Sequence, residues 1–204
     1  MGSRAASDIL KAFHSASSRQ NGRCQSWLDF GCGSGRVARH LLAAGIEDLT
    51  GVDVDAPSIA WLRAKLGDRF SLCSAQPLLD YPPGTFDVVV AISVFSHMDE
   101  TTQLAWLEEL ARVLRPGGLL IASTHGDQLL VTRGDLSSAQ AQPLFEEGFF
   151  FAPGAGTFSD DSTFHTRRYM TRVWGKWFEL VQFLDRGLMQ YQDLSVWAKP
   201  ASKA

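Results

Sequence analysis

A chain of 204 residues with 45% hydrophobic and 20% charged side chains has the composition of an ordinary globular protein and length enough for one domain with a full core. Its net charge of −3 gives no general attraction to nucleic acid, no apolar run reaches the length of a membrane span, and no secretory signal pattern opens the chain. Three cysteines, Cys24, Cys32 and Cys73, include no C-x-x-C pair; neither a disulfide framework nor a zinc site is indicated, and a reduced, cytoplasmic setting fits.

Met1-Gly2-Ser3 reads as an appended start and is set aside. Residues 5–18 are expected to form a leading helix with Ile9, Leu10 and Phe13 on its apolar side. A first strand, residues 26–30, breaks into a glycine loop that feeds a helix with Val37, Ala38, Leu41 and Leu42 inward, stopping near Gly45. A second strand covers residues 49–54. The next helix starts around Asp55 and Pro57, a proline tolerated in the first turn, with Ile59, Leu62 and Leu66 inward. Residues 70–74 form a short third strand. After the Pro82-Pro83-Gly84 turn, residues 86–93 read as a fourth strand buried on both faces. Asp99 caps a helix running to Leu114 with Leu104, Leu107, Leu110 and Leu114 inward; Arg115-Pro116-Gly117-Gly118 ends it, and residues 119–124 are the fifth strand. A long irregular stretch comes next, over residues 125–164. A helix over residues 166–176 then leads into two antiparallel strands, residues 178–184 and 193–198, separated by Arg186-Gly187. Strands alternating with helices imply a parallel α/β sheet.

The chemistry concentrates in Leu28-Asp29-Phe30-Gly31-Cys32-Gly33-Ser34-Gly35-Arg36. Glycines at alternate positions let the backbone approach a ligand where a Cβ would collide, and the following helix offers its N-terminal N–H groups. Cys32 has a steric role within this loop. Downstream, Leu49-Thr50-Gly51-Val52-Asp53 ends a strand in a carboxylate placed to accept hydrogen bonds from ribose hydroxyls. A dinucleotide fingerprint, G-x-G-x-x-G, would put its third glycine at position 36, where Arg36 stands. The G-x-G-x-G form with Asp29 two residues ahead resembles motif I of the class I S-adenosylmethionine (SAM) methyltransferases. Phe86-Asp87-Val88-Val89-Val90 with Ile92-Ser93-Val94-Phe95-Ser96-His97 resembles that family's fourth-strand motif. Leu110 to Gly118 resembles its helix-to-strand-five motif. The closing Gln192-Asp193-Leu194-Ser195-Val196 is similar to the last strand of small bacterial methyltransferases, of the type 11/12 kind, often found beside or fused to glycosyltransferases.

The resemblance implies a Rossmann-like, seven-stranded, mostly parallel sheet with the last strand antiparallel and helices on both faces. It implies one SAM-dependent domain over residues 1–204, with the leader at 1–25 and a substrate-side lid and helix at 125–176. It further implies that Gly31, Gly33 and Gly35 line the methionine part of SAM and that Asp29 orients the loop and the amino group. Asp53, with Val54 beside it, takes the ribose hydroxyls. Ile92 lends a carbonyl and apolar contact near the sulfonium. Many relatives hold the adenine amino group with an aspartate after the third strand; here Cys73-Ser74-Ala75-Gln76 stands in that place, and Gln76 or the backbone near Ala75 could replace it.

Methyl transfer from a sulfonium is an in-line displacement, so the enzyme chiefly aligns its reactants and excludes water. A general base is needed only for a poor nucleophile such as a hydroxyl. His97 after the fourth strand and His125 after the fifth are the candidates, both at carboxyl ends of strands; His165 reads as structural. The fourth strand lacks the Asn/Asp-Pro-Pro-aromatic ending of base amino-group methylation, and no Pro-Cys pair or acidic, metal-binding cluster appears. The aromatic run Phe145 to Phe151 reads as a lid or wall, with Tyr169, Arg167 and Arg168 able to line the same pocket. The basic cluster Arg167, Arg168, Arg172 and Lys176 reads as a solvated face. Transfer to an oxygen of a small molecule or glycan is expected. The alternative is a non-catalytic SAM-binding module, a reading that the short leader supports, inside a larger glycan-biosynthesis protein with a fused or neighbouring glycosyltransferase.

Overall fold

The computed structural model describes residues 2–17, 26–129, 138–154 and 161–201. Cys24, Ala155 and Gly156 lie outside them. The elements in chain order are α1 (Gly2–Ser17), β1 (Trp27–Phe30), α2 (Ala38–Ala43), β2 (Leu49–Asp53), α3 (Ala56–Leu66), β3 (Phe70–Leu72) and β4 (Phe86–Ala91). A 3-10 turn (Phe95–His97), α4 (Glu100–Val113), β5 (Leu114–Thr124), α5 (Ser138–Glu146), β6 (Phe149–Ala152) and β7 (Ser162–His165) come next. The chain closes with α6 (Arg167–Val173), a second 3-10 turn (Trp174–Lys176), β8 (Glu179–Leu188) and β9 (Gln192–Ala198).

Seven strands form one sheet in the order β3-β2-β1-β4-β5-β9-β8. β1 to β5 pair in parallel; β9 runs antiparallel to both β5 and β8. The side-chain period of two sorts each strand onto two faces. Val88 and Val90 of β4, with Leu119 and Ile121 of β5, join the core beneath α1, α2 and α3. Val89 and Ala91, with Leu120 and Ala122, face Trp106, Leu107 and Leu110 of α4 and Met170 of α6. Burying each such leucine removes it from water for about 1.5–3 kcal/mol. Asp99 caps α4 by accepting from the Thr102 amide at 2.8 Å.

Several sequence expectations change. Gly2 is a packed residue of α1: a Cβ there would meet the Arg36 carbonyl oxygen at 1.9 Å. β5 starts at Leu114, so Arg115-Pro116-Gly117-Gly118 is part of a strand. Leu114 pairs with Phe86 ahead of a register shift, and the positive φ of Gly117, +79°, accommodates the irregularity. Arg186-Gly187 is a bulge within β8; the hairpin turns at Met189-Gln190, both with positive φ. The stretch expected to be irregular holds α5 and a separate two-stranded ribbon, β6 against β7. Its aromatic residues pack inward: Phe149 meets Tyr169 and His165, and Phe150 stacks on Phe164. Phe145, in contrast, is exposed.

No helix among the described residues is long and apolar enough to cross a membrane.

Candidate active site

A cavity of about 340 Å³ opens at the carboxyl ends of β1, β2 and β4, where the sheet order reverses between β1 and β4. Of the residues the sequence singled out, Gly31, Asp53, Val54, Ala75 and His97 line it. Phe30, Cys73, Ser93, Val94, Met98, Thr102 and Trp106 line it as well. Thr102 and Trp106 come from α4, where helical periodicity alone marks them as surface and core.

The three loop glycines do different work. All have positive φ, +74°, +51° and +71° for Gly31, Gly33 and Gly35, a region costly for any residue with a Cβ. A Cβ on Gly31 would meet Val94 Cγ2 at 2.4 Å, and one on Gly35 would meet Leu62 Cδ2 at 2.5 Å. Only Gly33 has open space where a Cβ would stand. Gly31 and Gly35 therefore admit protein side chains, and Gly33 alone leaves room for something else. Cys32 turns into the core beneath α1 to α3, its sulfur facing Gly51; burial first, and the nearby carboxylates next, push its thiol well above the usual range.

Asp53 is held by the chain on both oxygens: Oδ2 accepts from the Gly33 amide at 2.6 Å and Oδ1 from the Asp55 amide at 2.9 Å. Each carboxylate oxygen keeps a second lone pair. Asp29 lies behind the loop, 2% exposed, with Oδ2 lacking any hydrogen-bond partner. Burial, and to a lesser extent the charge of Asp53, pushes its carboxyl up to about 7. The strand that leads into the loop thus contains a desolvated acid with an unused oxygen.

Gln76 is exposed, its amide bonded to Ser74 Oγ, and it does not line the cavity; Ala75 does. Ile92 packs against the core on the helix α1 to α3 face. Its neighbour Ser93 reaches the cavity.

The histidines separate. His97 Nδ1 lies 2.7 Å from the Asp161 carbonyl oxygen. A carbonyl can only accept, so Nδ1 carries a proton, and in the neutral imidazole the lone pair is on Nε2. His125 sits behind it, 6% exposed, its ring 6.2 Å from that of His97. His165 Nε2 donates to Gln103 Oε1 at 2.9 Å, and Gln103 Nε2 in turn donates to the Phe95 and Met98 carbonyls. Burial, with a smaller contribution from His125, lowers His165 to about 3, so it is neutral and structural.

Tyr169, Arg167 and Arg168 do not line the cavity. The Tyr169 hydroxyl donates to Glu100 at 2.6 Å, Arg167 lies over the Phe183 ring, and Arg168 donates to the Glu146 carbonyl. Arg167, Arg168, Arg172 and Lys176 are all exposed, as expected of a solvated face. No group of three or more potential metal-ligating side chains occurs among the described residues.

Residues 28–122 match the family described as methyltransferase domain. The 27-O-demethylrifamycin SV methyltransferase of Amycolatopsis mediterranei (strain S699) is 33% identical over 127 residues, 59% of this chain and 45% of that protein. The chain spans less than half the length of the first curated relatives it matches. Among solved structures, a SAM-dependent methyltransferase from Methanosarcina mazei superposes with a TM-score of 0.68 at 21% identity, over 89% of this chain and 95% of that one. The Burkholderia thailandensis 1,6-didemethyltoxoflavin-N1-methyltransferase, with bound 1,6-didemethyltoxoflavin and S-adenosylhomocysteine, superposes at 0.64 and 19% identity, over 96% of this chain and 79% of that one. The glycine loop and the strand-end carboxylate, joined by a hydrogen bond, both lie within the segment similar to the methyltransferase-domain family, on a fold shared with these solved methyltransferases.

Proposed function

We propose that this chain transfers the methyl group of SAM to a hydroxyl oxygen of a small-molecule acceptor, with His97 as the general base. The carrying observation is the bare Nε2 of a cavity-lining histidine whose other nitrogen is tied to a carbonyl. That is the protonation pattern a base needs before it takes a hydroxyl proton. His125, nearly buried behind it, is assigned a packing role beside His97.

The residues present suit the cofactor. The unpartnered Oδ2 of Asp29 is complementary to an α-ammonium group. The remaining lone pairs of Asp53 suit ribose hydroxyls, and the open position at Gly33 leaves room along the methionine arm. Val54, Cys73, Ala75 and Met98 supply a largely apolar wall for the base, with the backbone at Ala75 replacing the adenine-binding carboxylate. SAM supplies an activated methyl carbon when bound; the chain's own residues hold, align and dehydrate the reactants. O-methyl chemistry named for the rifamycin relative agrees with the oxygen assignment, and a glycan hydroxyl falls within the same acceptor class.

The test is calorimetric titration with S-adenosylhomocysteine, followed by an acceptor panel of phenols, alcohols, sugars and amines. Micromolar binding that Asp53→Ala abolishes is expected, and His97→Ala should lower turnover on a hydroxyl acceptor by about 10²–10⁴ while leaving that binding intact. Binding without turnover on any acceptor would favour a non-catalytic SAM module, and turnover confined to amines would refute the oxygen assignment.

A further inference from the structure

Outside the β8–β9 hairpin, Ser93 is the only described non-glycine residue with positive φ, +58°. It stands where β4 stops and the cavity begins. A residue with a Cβ holds this conformation only when its surroundings over-determine it, and such residues cluster at functional sites. The surroundings here are specific. The Ser93 amide donates to Ser123 Oγ at 2.8 Å, and the Ser93 hydroxyl donates to Gln192 Oε1 at 2.9 Å. The Ser123 hydroxyl closes the ring by donating to the same Gln192 oxygen at 2.8 Å. Ser123 is fully buried in β5, and Gln192 is 3% exposed at the start of β9, 99 residues from Ser93 in sequence. Both the backbone and the side chain of Ser93 are therefore gripped from two other strands.

The grip at Ser93 sets the position of the residues after it. Val94 is the side chain that occupies the space a Cβ on Gly31 would need, so the turn at Ser93 seats Val94 on the glycine loop. The next residues, the 3-10 turn Phe95–His97, carry His97 to the cavity. We infer that Gln192, acting through Ser93 and Ser123, is a positioning residue: it clamps the β4 exit so that Val94 and His97 form the cavity wall against the glycine loop. It touches none of the reacting groups in this arrangement. The inference rests on the reading of this cavity as the cofactor site.

The test uses the intact chain and three variants: Gln192→Met, Ser93→Gly, and both together. Methionine keeps the volume of glutamine and removes the acceptor. Glycine adopts positive φ without help. Gln192→Met is expected to weaken S-adenosylhomocysteine binding by at least tenfold in calorimetry and to lower the melting temperature. Adding Ser93→Gly should recover most of both losses, because a glycine exit needs no clamp. A purely structural role for Gln192 in β9 would give losses that Ser93→Gly leaves unchanged or makes worse. That result, or unaltered binding by Gln192→Met, would overturn the inference. If the unaltered chain itself fails to bind, the methyl-transfer reading falls. The clamp is then judged on melting temperature, where lack of recovery by Ser93→Gly would overturn it.

Discussion

Cofactor binding should expel a proton from Asp29. The free chain buries this carboxyl and holds its pKa at about 7, with Oδ2 unpartnered. An ammonium brought against that oxygen favours the carboxylate and drives the proton off. With a free pKa of about 7, roughly nine-tenths of a proton should be released per S-adenosylhomocysteine bound at pH 6, about half at pH 7 and about a tenth at pH 8. Affinity should accordingly fall by up to about tenfold per pH unit below 7. Titration calorimetry in two buffers of different ionisation enthalpy reads the proton count directly, and Asp29→Asn should abolish it. The same burial sets a slope in the stability of the free chain. Because the folded pKa lies above the ordinary 3.8, the folded chain binds the extra proton between about pH 4 and 7. The stability that this proton contributes is therefore fully present below about pH 4 and is lost as pH rises through about 7, on the order of 4 kcal/mol in all. Asp29→Asn should remove this part of the slope and leave the part from Asp193, whose carboxyl burial pushes up to about 6. Heats at pH 6 that do not depend on the buffer would refute the reasoning, since Asp29 would then be ionised already or out of reach of the cofactor.

Two further substitutions probe the frame around the site. Gly35→Ala combines a positive φ with a 2.5 Å approach to Leu62 and should cost about 2–4 kcal/mol, read as a fall in melting temperature of about 5–15 °C. Gly33→Ala meets no neighbour and should cost less stability but more cofactor affinity; a larger thermal loss for Gly33→Ala than for Gly35→Ala would contradict the division of roles among the glycines. Arg112 donates to both oxygens of buried Glu109 and to the carbonyls of Leu79 and Tyr81, pinning the segment between β3 and β4. Arg112→Met should cost about 3 kcal/mol in urea denaturation by leaving the buried Glu109 charge with only the Leu79 amide as partner, and the double variant with Glu109→Gln, which keeps an acceptor for that amide, should cost less than Arg112→Met alone; a larger loss in the double variant would refute the pairing argument.

Local pattern carried most of the sheet. Val88 to Ala91 reads as a central strand because an uninterrupted apolar run suits burial on both faces, and α4 reads from Asp99 onward because its cap and leucine spacing agree. The loop from Asp29 to Gly35 and the carboxylate at Asp53 are legible because each role needs a particular residue type at a short, fixed spacing. β6, β7 and the early start of β5 were not legible: the ribbon alternates poorly, and Pro-Gly-Gly reads locally as a stop.

What the sequence determined by itself is the chemistry available: a glycine loop that only glycine can make, an acid at the end of the second strand, and histidines at strand ends. What the tertiary structure alone decided is which of these meet. It buried Asp29 without a partner, filled the space beside Gly31 and Gly35 with Val94 and Leu62, and turned His97 into the cavity with His125 behind it. It also brought Gln192 to Ser93 across 99 residues. Residue type and short spacing are local properties, encoded directly in the chain. Desolvation and contact between distant strands depend on how the whole sheet packs, which no local window contains.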